Sequence, residues 1–357
     1  MHHFIYATQD NWISSGSSNI DGTSFKDQNF GQDPILEVKK EFFNESFDYP
    51  TRALISFAGP EFTQMSHSIV NGEIVDPKFY LRLYEAEGNQ DMTLDYKLTA
   101  QPLSQSWNEG TGKFEDKPKV TNGCSWENRN FFPGASAVTW SNADGSPSHG
   151  GAIYNASHAS QSFSNESPDI DMEVTDAVNM WLNKTHDNYG FLLRFSGSQE
   201  TNSETFGQLK FFSSQTHTIY APKLEVRWDD HKPCTGSNTG SMLPLSMSGV
   251  ADNYLYMKGL KKFYKEDEKV KFRVGARKRY IQKTFSTSVQ TVSGSYIAEG
   301  SGSYSIQDVA TGESIVPFST YTSMSCDSNS NYFIQWLNGF APDRVYKILY
   351  KLKYDDG

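Results

Sequence analysis

The sequence contains little cysteine, and this limits the covalent and metal sites that it can form. The 357 residues include three cysteines, Cys124, Cys234 and Cys326. Because the number is odd and the spacings are long, the pattern predicts no disulfide framework and no zinc site of the C-x-x-C type. We therefore expect the three cysteines to be unpaired and buried as small apolar side chains.

Long apolar segments are also missing. No run approaches the roughly 18 residues that a membrane-spanning helix needs. The first residues, MHHFIYATQDNW, have neither the basic region nor the apolar region of a signal peptide. The sequence thus predicts a soluble chain without membrane insertion and without an export signal.

The residues that are abundant favour β-structure. Aromatic residues make up 14% of the chain, and 27 residues are glycine. Aromatic residues are enriched in strands and glycine in turns. Since single cores stop growing at roughly 250 to 300 residues, this length predicts two domains. We expect an all-β protein with two β-sandwich domains, jelly-roll or immunoglobulin-like, and one short helix in the first.

The charge is distributed unevenly along the chain. Residues 1–231 contain 16 Lys and Arg against 31 Asp and Glu, a net charge of −15, whereas residues 232–357 contain 16 against 11, a net charge of +5. Such asymmetry suggests that the two halves face different partners. Because phosphate binding needs a basic surface, the acidic first half argues against nucleic acid as a partner.

The composition changes at residues 229–249, where Gly, Ser, Pro and Asn replace alternating apolar residues. We place a first domain at 1–229, a linker at 230–245 and a basic, immunoglobulin-like second domain at 246–357.

The polar stretch 127–168 is longer than a sandwich connection should be. It predicts either an insertion that contacts a ligand or a loop with minor strands. Strands of the first domain are predicted at 35–38, 52–57, 79–86, 95–99, 190–195, 209–212 and 222–228.

One segment has helical rather than strand periodicity. In MEVTDAVNMWLNKTHDNYGFLLRF, Val174, Val178, Trp181 and Leu182 recur at helical spacing and form one apolar stripe. We expect a short helix that begins with Thr175 or Asp176 as its N-cap. Its Trp181 ring should be buried against the core of the sandwich, which would stabilise the fold by about 3 kcal/mol.

Nine short motifs occur in a fixed order between residues 9 and 228. They are the strand at 10–14, NFG at 29–31, RALISF at 52–57, FYLRLY at 79–84, SWNEG at 106–110, VT at 174–175 with WLN at 181–183, NYGF at 188–191, FSS at 212–214 and PKLEV at 222–226. Together they resemble the DNRLRE-type β-sandwich domains, a family that includes carbohydrate-binding modules reported to recognise alginate. The resemblance implies a sandwich with one structural helix and a carbohydrate-binding type of domain. The matched residues are mostly core and turn positions.

The motifs of common enzymes are missing from the sequence. It contains no G-x-x-x-x-G-K-[ST], G-x-G-x-x-G, H-E-x-x-H or G-x-S-x-G segment. We therefore expect a protein that is not an enzyme, with no catalytic residue, no cofactor and no metal. Three weaker patterns have competing interpretations. The segment His149-Gly150-Gly151 is either a lipase-like oxyanion loop or a glycine turn. The carboxylates of Asp169, Asp171 and Glu173 form either a calcium-binding face or a solvated face. Glu109, which lies beside Trp107, is either a glycosidase acid or a structural residue.

Exposed aromatic residues are the best candidates for contacts with a ligand. Four of them lie in or beside the polar stretch: Trp107, Trp126, Trp140 and Tyr154. They are candidate platforms for sugar rings, although most tryptophans in a sandwich belong to the core.

The basic run of the second domain is either a solvated strand pair or a surface that docks on an acidic neighbour. Its candidate docking residues are Lys269, Lys271, Arg273, Arg277, Lys278 and Arg279.

These observations favour two functions. The first is a structural or adsorption protein of a tailed-bacteriophage virion, in a tail, baseplate, neck or capsid decoration, assembled in the host cytoplasm from several copies beside other virion proteins. Its basic second domain would anchor to the particle, and its first domain would contact host surface polysaccharide. The second is a secreted carbohydrate-binding module, for which a neutral glycan suits the charge of −15 better than a polyanion. A polysaccharide lyase or hydrolase ranks below both.

Overall fold

The computed structural model describes residues 1–43, 45–87, 95–142, 145–146, 148–155, 157–164, 169–248, 253–280, 285–289 and 294–354. Strands dominate these residues, and the expected all-β sandwich class is confirmed. The chain forms two compact units. The N-terminal unit comprises Phe4–Glu73 and Pro77–Val226, and the C-terminal unit comprises Arg227–Gly357 together with Met1–His3 and Ile74–Asp76.

The segment that we predicted as a linker, 230–245, belongs to the C-terminal unit. Within it Gly236–Thr239 form a 3-10 turn, and Leu243–Pro244 pair in parallel with Ser295–Tyr296. Glycine and serine therefore mark tight turns at this point rather than a flexible connection.

Two main sheets build the N-terminal unit. One has the strand order β1-β14-β5-β11, and the other has the order β10-β7-β12-β4-β3-β13-β6 with β2 added on β4; β8 and β9 form a small separate pair. The strands are β1 (His2–Tyr6), β2 (Gln9–Ser14), β3 (Ile35–Phe43), β4 (Ser46–Ser56), β5 (Lys78–Leu83), β6 (Glu85–Glu87), β7 (Asp95–Pro102), β8 (Asn128–Asn130), β9 (Val138–Thr139), β10 (Ala159–Ser164), β11 (Ile170–Glu173), β12 (Phe191–Phe195), β13 (Gly207–Phe212) and β14 (Lys223–Arg227).

The alternation read in the sequence explains how these strands form a core. In β5 the side chains of Phe79, Leu81 and Leu83 are buried on one face, as their spacing of two predicts. β12 is a central strand between β4 and β7, and four of its five residues, including Phe191, are buried. Strands that are covered on both faces need such continuous apolar runs.

The N-terminal unit contains three helices in its described residues rather than the single expected one. They are α1 (Pro60–Val70), α2 (Thr175–Leu182) and α3 (Gly197–Thr201). α2 is the expected helix, and the ring of Trp181 lies 4.7 Å from that of Phe191 between ring centroids. The predicted N-cap was wrong, because Val174 occupies that position and no side chain caps the helix.

The C-terminal unit is a second sandwich. A six-stranded sheet has the order β15-β18-β17-β22-β21 with β16 added on β17, and a three-stranded sheet has the order β20-β19-β23. A turn at Ala310-Thr311-Gly312 joins β19 to β20, which pair antiparallel. The strands are β15 (Leu243–Pro244), β16 (Asn253–Lys258), β17 (Lys269–Lys278), β18 (Ser295–Tyr296), β19 (Gly302–Asp308), β20 (Ser314–Val316), β21 (Ser325–Asp327), β22 (Ser330–Trp336) and β23 (Tyr346–Leu352).

The prediction that all three cysteines are unpaired was wrong. Cys234 and Cys326 form a disulfide, with their Cα atoms 4.8 Å apart, while Cys124 is a buried free thiol. The two partners are 92 residues apart in sequence, and the fold brings them together at the start of the C-terminal unit and on β21. Sequence spacing therefore gave no indication of the pair.

None of the helices in the described residues is long and apolar enough to cross a membrane.

Candidate functional site

A cleft of about 760 Å³ opens on the surface of the N-terminal unit. Three parts of the chain form its walls: β4, the residues that follow β7, and the part of the polar stretch between 141 and 155. The polar and aromatic side chains that line it include Arg52, Gln105, Asn142, His149, Tyr154 and Asn155.

The polar stretch is held against the sheet by its few apolar side chains. Trp140, Ala152 and Leu103 belong to one buried cluster, against which Ile153 also packs. The backbone continues this packing as a bridge between Leu103 and Ile153, and the amide of Tyr154 donates to the carbonyl of Pro102 at 2.9 Å. The stretch thus contains minor strands, β8, β9 and β10, and it also forms a cleft wall, while residues 143–144, 147, 156 and 165–168 lie outside the described part.

One edge of the cleft is fixed by a reciprocal pair of hydrogen bonds. Gln105 donates from its Nε2 to the Oγ of Ser141 at 2.6 Å, and the amide of Ser141 donates to the Oε1 of Gln105 at 3.1 Å. Both residues line the cleft. Because the amide group is held by both of its ends, its orientation is set before any ligand arrives.

A glycine pair closes the turn below the cleft. Gly150 and Gly151 both have positive φ, +77° and +97°, a region that favours glycine. A Cβ on Gly150 would lie 2.6 Å from the Trp126 ring, and one on Gly151 would lie 2.4 Å from a Leu192 methyl. Of the two interpretations of His149-Gly150-Gly151, the packing supports a tight structural turn that carries His149 to the cleft.

The guanidinium of Arg52 lies at the base of the cleft and is held from several sides. Glu200 on α3 accepts from its Nε at 2.8 Å and from its Nη2 at 2.9 Å, and the same carboxylate accepts from Arg194 at 2.6 Å. The guanidinium also lies over the Trp126 ring, 4.9 Å from its centroid. Burial alone would raise the pKa of Glu200, but the charges and hydrogen bonds of Arg52 and Arg194 outweigh it and hold the pKa below its usual value.

Tyr154 supplies the aromatic surface of the cleft. Its ring is half-buried and stacks on the ring of His186, with the centroids 3.7 Å apart and the planes at 20°. The stacking fixes the orientation of the Tyr154 ring. Hydroxyl, amide, imidazole and guanidinium groups around one flat ring suit a ligand that has many hydroxyl groups and an apolar ring face.

The four aromatic residues proposed as sugar platforms differ in how far their rings are exposed. Tyr154 lines the cleft, but Trp107 and Trp140 are only 7% and 0% exposed, and their Nε1 groups donate to the carbonyls of Tyr189 and Ser125. Trp126 is partly buried under Arg52. The assignment of Trp107 and Trp140 as sugar platforms is therefore corrected, because a buried ring offers no face to a sugar.

Sequence reasoning missed the polar residues of the cleft. Arg52 was assigned to a core strand, and Gln105 and Asn142 were not singled out. Nothing local distinguishes them, since they are far apart in sequence and come together only through the fold. His149 was recognised through its glycine pair but not connected to the polar cleft.

The predicted basic residues of the C-terminal unit fall into two groups. Lys271 and Arg273 both pair with Asp327 at 2.9 Å, and Lys269 lies over the Trp336 ring. Burial would raise the pKa of Asp327, yet the hydrogen bonds from Arg273 and Lys271 lower it well below its usual value. Arg277 lies over a tyrosine ring, and Lys278 and Arg279 are exposed on the same strand end.

The structure also shows the surroundings of the acidic residues that the sequence analysis singled out. Asp171 and Glu173 are exposed on β11 between buried neighbours, as their alternation predicts. Glu109 has a structural environment, because its Oε1 accepts from the amide of Asp10 at 3.1 Å and its carbonyl accepts from the side chain of Asn29 at 2.7 Å. In the described part of the chain, no group of three or more His, Cys, Asp or Glu side chains is arranged to hold a metal ion.

No protein-family model matches the chain, and comparison with curated proteins gave no significant match. The candidate site therefore depends on the geometry described above.

Proposed function

We propose that this chain is a non-enzymatic adsorption protein of a tailed-phage virion, present in several copies, whose N-terminal unit binds a host polysaccharide in the cleft around Tyr154. The observation that carries the proposal is the cleft itself. It combines one flat ring in a fixed orientation with amide and hydroxyl groups that are positioned before binding. The resemblance of residues 9–228 to carbohydrate-binding β-sandwich domains supports the same ligand class.

A neutral glycan suits this cleft better than a polyanion. Residues 1–231, which contain the whole N-terminal unit, have a net charge of −15 and repel anions at long range. Arg52 in the cleft is already paired with Glu200, which it shares with Arg194, so that its charge is partly compensated. Hydroxyl groups of a neutral sugar can still donate to and accept from Gln105, Asn142 and His149.

Calorimetry of the full chain with a panel of neutral and acidic polysaccharides tests the ligand. We expect saturable binding of a neutral polysaccharide, and Tyr154→Ala should weaken it about tenfold, since loss of ring stacking costs about 1.4 kcal/mol. Phe132→Ala is the matched control, because Phe132 is an aromatic residue of the same polar stretch, 47% exposed, and does not line the cleft.

The result can also contradict the proposal. If Tyr154→Ala and the parent bind with equal affinity, or if no polysaccharide of the panel binds, the cleft is not a glycan site. If acidic polysaccharides alone bind, the argument from charge is wrong.

A secreted carbohydrate-binding module is the second candidate, and one observation favours it. The Cys234–Cys326 disulfide is typical of proteins that mature outside the reducing cytoplasm. Peptide mass spectrometry on purified particles and on culture supernatant separates the two candidates, since only a virion protein sediments with the particles in fixed copy number.

A further inference from the structure

Two adjacent tyrosines with a cation at each end form a row on the outer face of the strand pair β16–β17. Tyr254, Tyr256 and Lys258 share one face of β16 because they are two residues apart. Arg277, the cross-strand partner of Tyr254, lies 4.9 Å from the centroid of its ring. The two tyrosine rings are 5.9 Å apart and near-parallel, and Lys258 lies 6.0 Å from the Tyr256 ring. We call these four residues the cation–tyrosine ladder.

A glycine on the neighbouring strand makes room for the ladder. Gly275 lies opposite Tyr256 in the β16–β17 register. A Cβ at this position would be 2.5 Å from the Tyr256 ring and 2.7 Å from the Cε of Lys258. The two side chains can therefore lie flat across β17, and the ladder has a defined geometry.

The cations at this end of the sheet differ from those beside them. Lys271 and Arg273 share the Asp327 carboxylate, whereas no carboxylate in the described residues pairs with Lys258 or Arg277. Lys278 and Arg279 add two exposed positive charges at the end of the same strand, and Tyr254 is 43% exposed. Exposed tyrosine and arginine side chains are the residues most enriched at the centres of protein interfaces.

The N-terminal unit has an exposed surface of opposite charge. Asp169, Asp171, Glu173 and Asp176 are all exposed and lie within eight residues, along β11 and the first turn of α2. Glu173 pairs with Lys78 at 3.3 Å, but both side chains are nearly half exposed, so this pair contributes little and can exchange. We call these four residues the acidic band.

We propose that the cation–tyrosine ladder of one copy docks on the acidic band of a second copy of this chain. Charge complementarity selects the partner, because the whole chain has a net charge of −10 and copies associate only where a positive surface meets a negative one. The two surfaces differ, so a single contact leaves one ladder and one acidic band unoccupied, and these either pair with each other in a closed dimer or bind further copies. The inference rests on the several copies included in the proposed function and names the surfaces that join them.

Sedimentation velocity of the full chain tests self-association directly. At low salt we expect the mean mass to rise with protein concentration, and at high salt we expect it to fall towards the monomer, because salt screens exposed charges. The double variant Lys258→Glu with Arg277→Glu should weaken association at least about tenfold. Lys347→Glu with Lys351→Glu is the matched control, since it makes the same charge change at exposed positions of β23 and should associate like the parent.

A charge exchange identifies the two surfaces. Glu173→Lys with Asp176→Lys changes the charge of the acidic band from −4 to zero and should also weaken self-association. In a mixture of this variant with the ladder variant, the unchanged ladder of the one can dock on the unchanged acidic band of the other, and association should return. Unfolding curves of each variant verify that it remains folded.

Three results of these experiments would contradict the proposed contact between copies. A chain that stays monomeric at low salt, ladder variants that associate like the parent, or a mixture that fails to restore association would overturn it. Polysaccharide calorimetry on the ladder variants separates this result from the cleft, since they should bind glycan like the parent. If Tyr154→Ala abolishes glycan binding but the variant still self-associates, the result tests the cleft and leaves the proposed contact between copies unaffected.

Discussion

At the scale of single residues, Asp10 is a carboxyl group buried in the N-terminal unit. Its side chain on β2 is 1% exposed, its Oδ2 accepts from the amide of Ser214 at 2.6 Å, and its Oδ1 has no hydrogen-bond partner in the described residues. Burial raises the pKa of Asp10 to about 7, and the nearby Glu109 carboxylate adds to the effect. The pKa of Glu109 is also raised by burial.

This environment predicts that the stability of the parent falls as the pH rises. In the unfolded chain Asp10 titrates near pH 4. Its protonated form stabilises the fold fully below that pH, and this contribution is lost as the pH rises through about 7. Asp10→Asn, which has no charge to bury, should therefore be more stable than the parent at pH 8, by on the order of 2 to 4 kcal/mol, and the difference should shrink towards pH 4.

Urea unfolding at a series of pH values measures this difference. The exposed residue Asp95 provides the control, and Asp95→Asn should follow the parent at every pH. If the parent and Asp10→Asn keep a constant difference from pH 4 to pH 8, Asp10 does not titrate in this range. Some pH dependence should persist in Asp10→Asn, because burial also raises the pKa of Asp33 to about 6.

At the scale of elements, the short helix α3 contributes a buried carboxylate that pairs with two strands of the sheet. Glu200 on α3 binds Arg52 on β4 and Arg194 on β12, and the three side chains are 5%, 15% and 19% exposed. α3 has five residues and too few backbone hydrogen bonds to be stable alone. The ion-pair network therefore fixes both α3 and the base of the cleft.

Glu200→Gln should destabilise the N-terminal unit by about 3 kcal/mol, because it leaves two partly buried guanidinium groups without a counter-charge. The pKa of Glu200 lies below its usual value, so its contribution is present above about pH 4 and is lost as the pH falls through the lower folded pKa. Parent and variant should thus converge at low pH. Urea unfolding at pH 7 and pH 3 measures both effects.

The exposed residue Glu204 provides the matched control, and Glu204→Gln should leave stability unchanged. Equal stability of Glu200→Gln and the parent at pH 7 would mean that solvent already compensates the two arginines. In that case α3 would be held by its backbone contacts.

Elements with regular periodicity could be predicted from the sequence, and irregular ones could not. The alternation in β5 and the apolar stripe of α2 follow directly from the positions of Phe79, Leu81, Val178 and Trp181. α1 was missed because only Phe62 and Met65 of its eleven residues are buried, which leaves a weak stripe among polar residues. α3 was missed because its stability depends on Arg52, which is far away in sequence.

The cleft, too, could be predicted from the sequence only in part. Arg52, Gln105 and His149 come from separate strands and loops, and only the packing of Trp140 and Ala152 into the core brings them together. Tyr154 could be proposed in advance because an aromatic residue in a polar loop is noticeable. Composition cannot distinguish it from Trp140, whose ring is fully buried although its sequence surroundings are similar.

At the scale of the whole chain, the disulfide joins distant parts of the C-terminal unit. Cys234 and Cys326 are 92 residues apart, and the side-chain amide of Asn331 lies 3.2 Å and 3.0 Å from their two sulfurs. The linked segment includes β15 to β20 and thus most of the second sandwich. An odd cysteine count gave no reason to expect this pair, since Cys124 lies buried in the other unit.

Removal of this bond should destabilise the C-terminal unit by about 4 kcal/mol, because the closed loop restricts the unfolded chain. The variant Cys234→Ser with Cys326→Ser should therefore unfold at lower urea concentration than the oxidised parent, and reduction should bring the parent close to the variant. Cys124→Ser is the control for reagent effects, since its response to reduction should equal that of the parent. If the oxidised and reduced parent unfold at the same urea concentration, the bond does not constrain the unfolded chain, and the disulfide loses its weight as an argument for a secreted module.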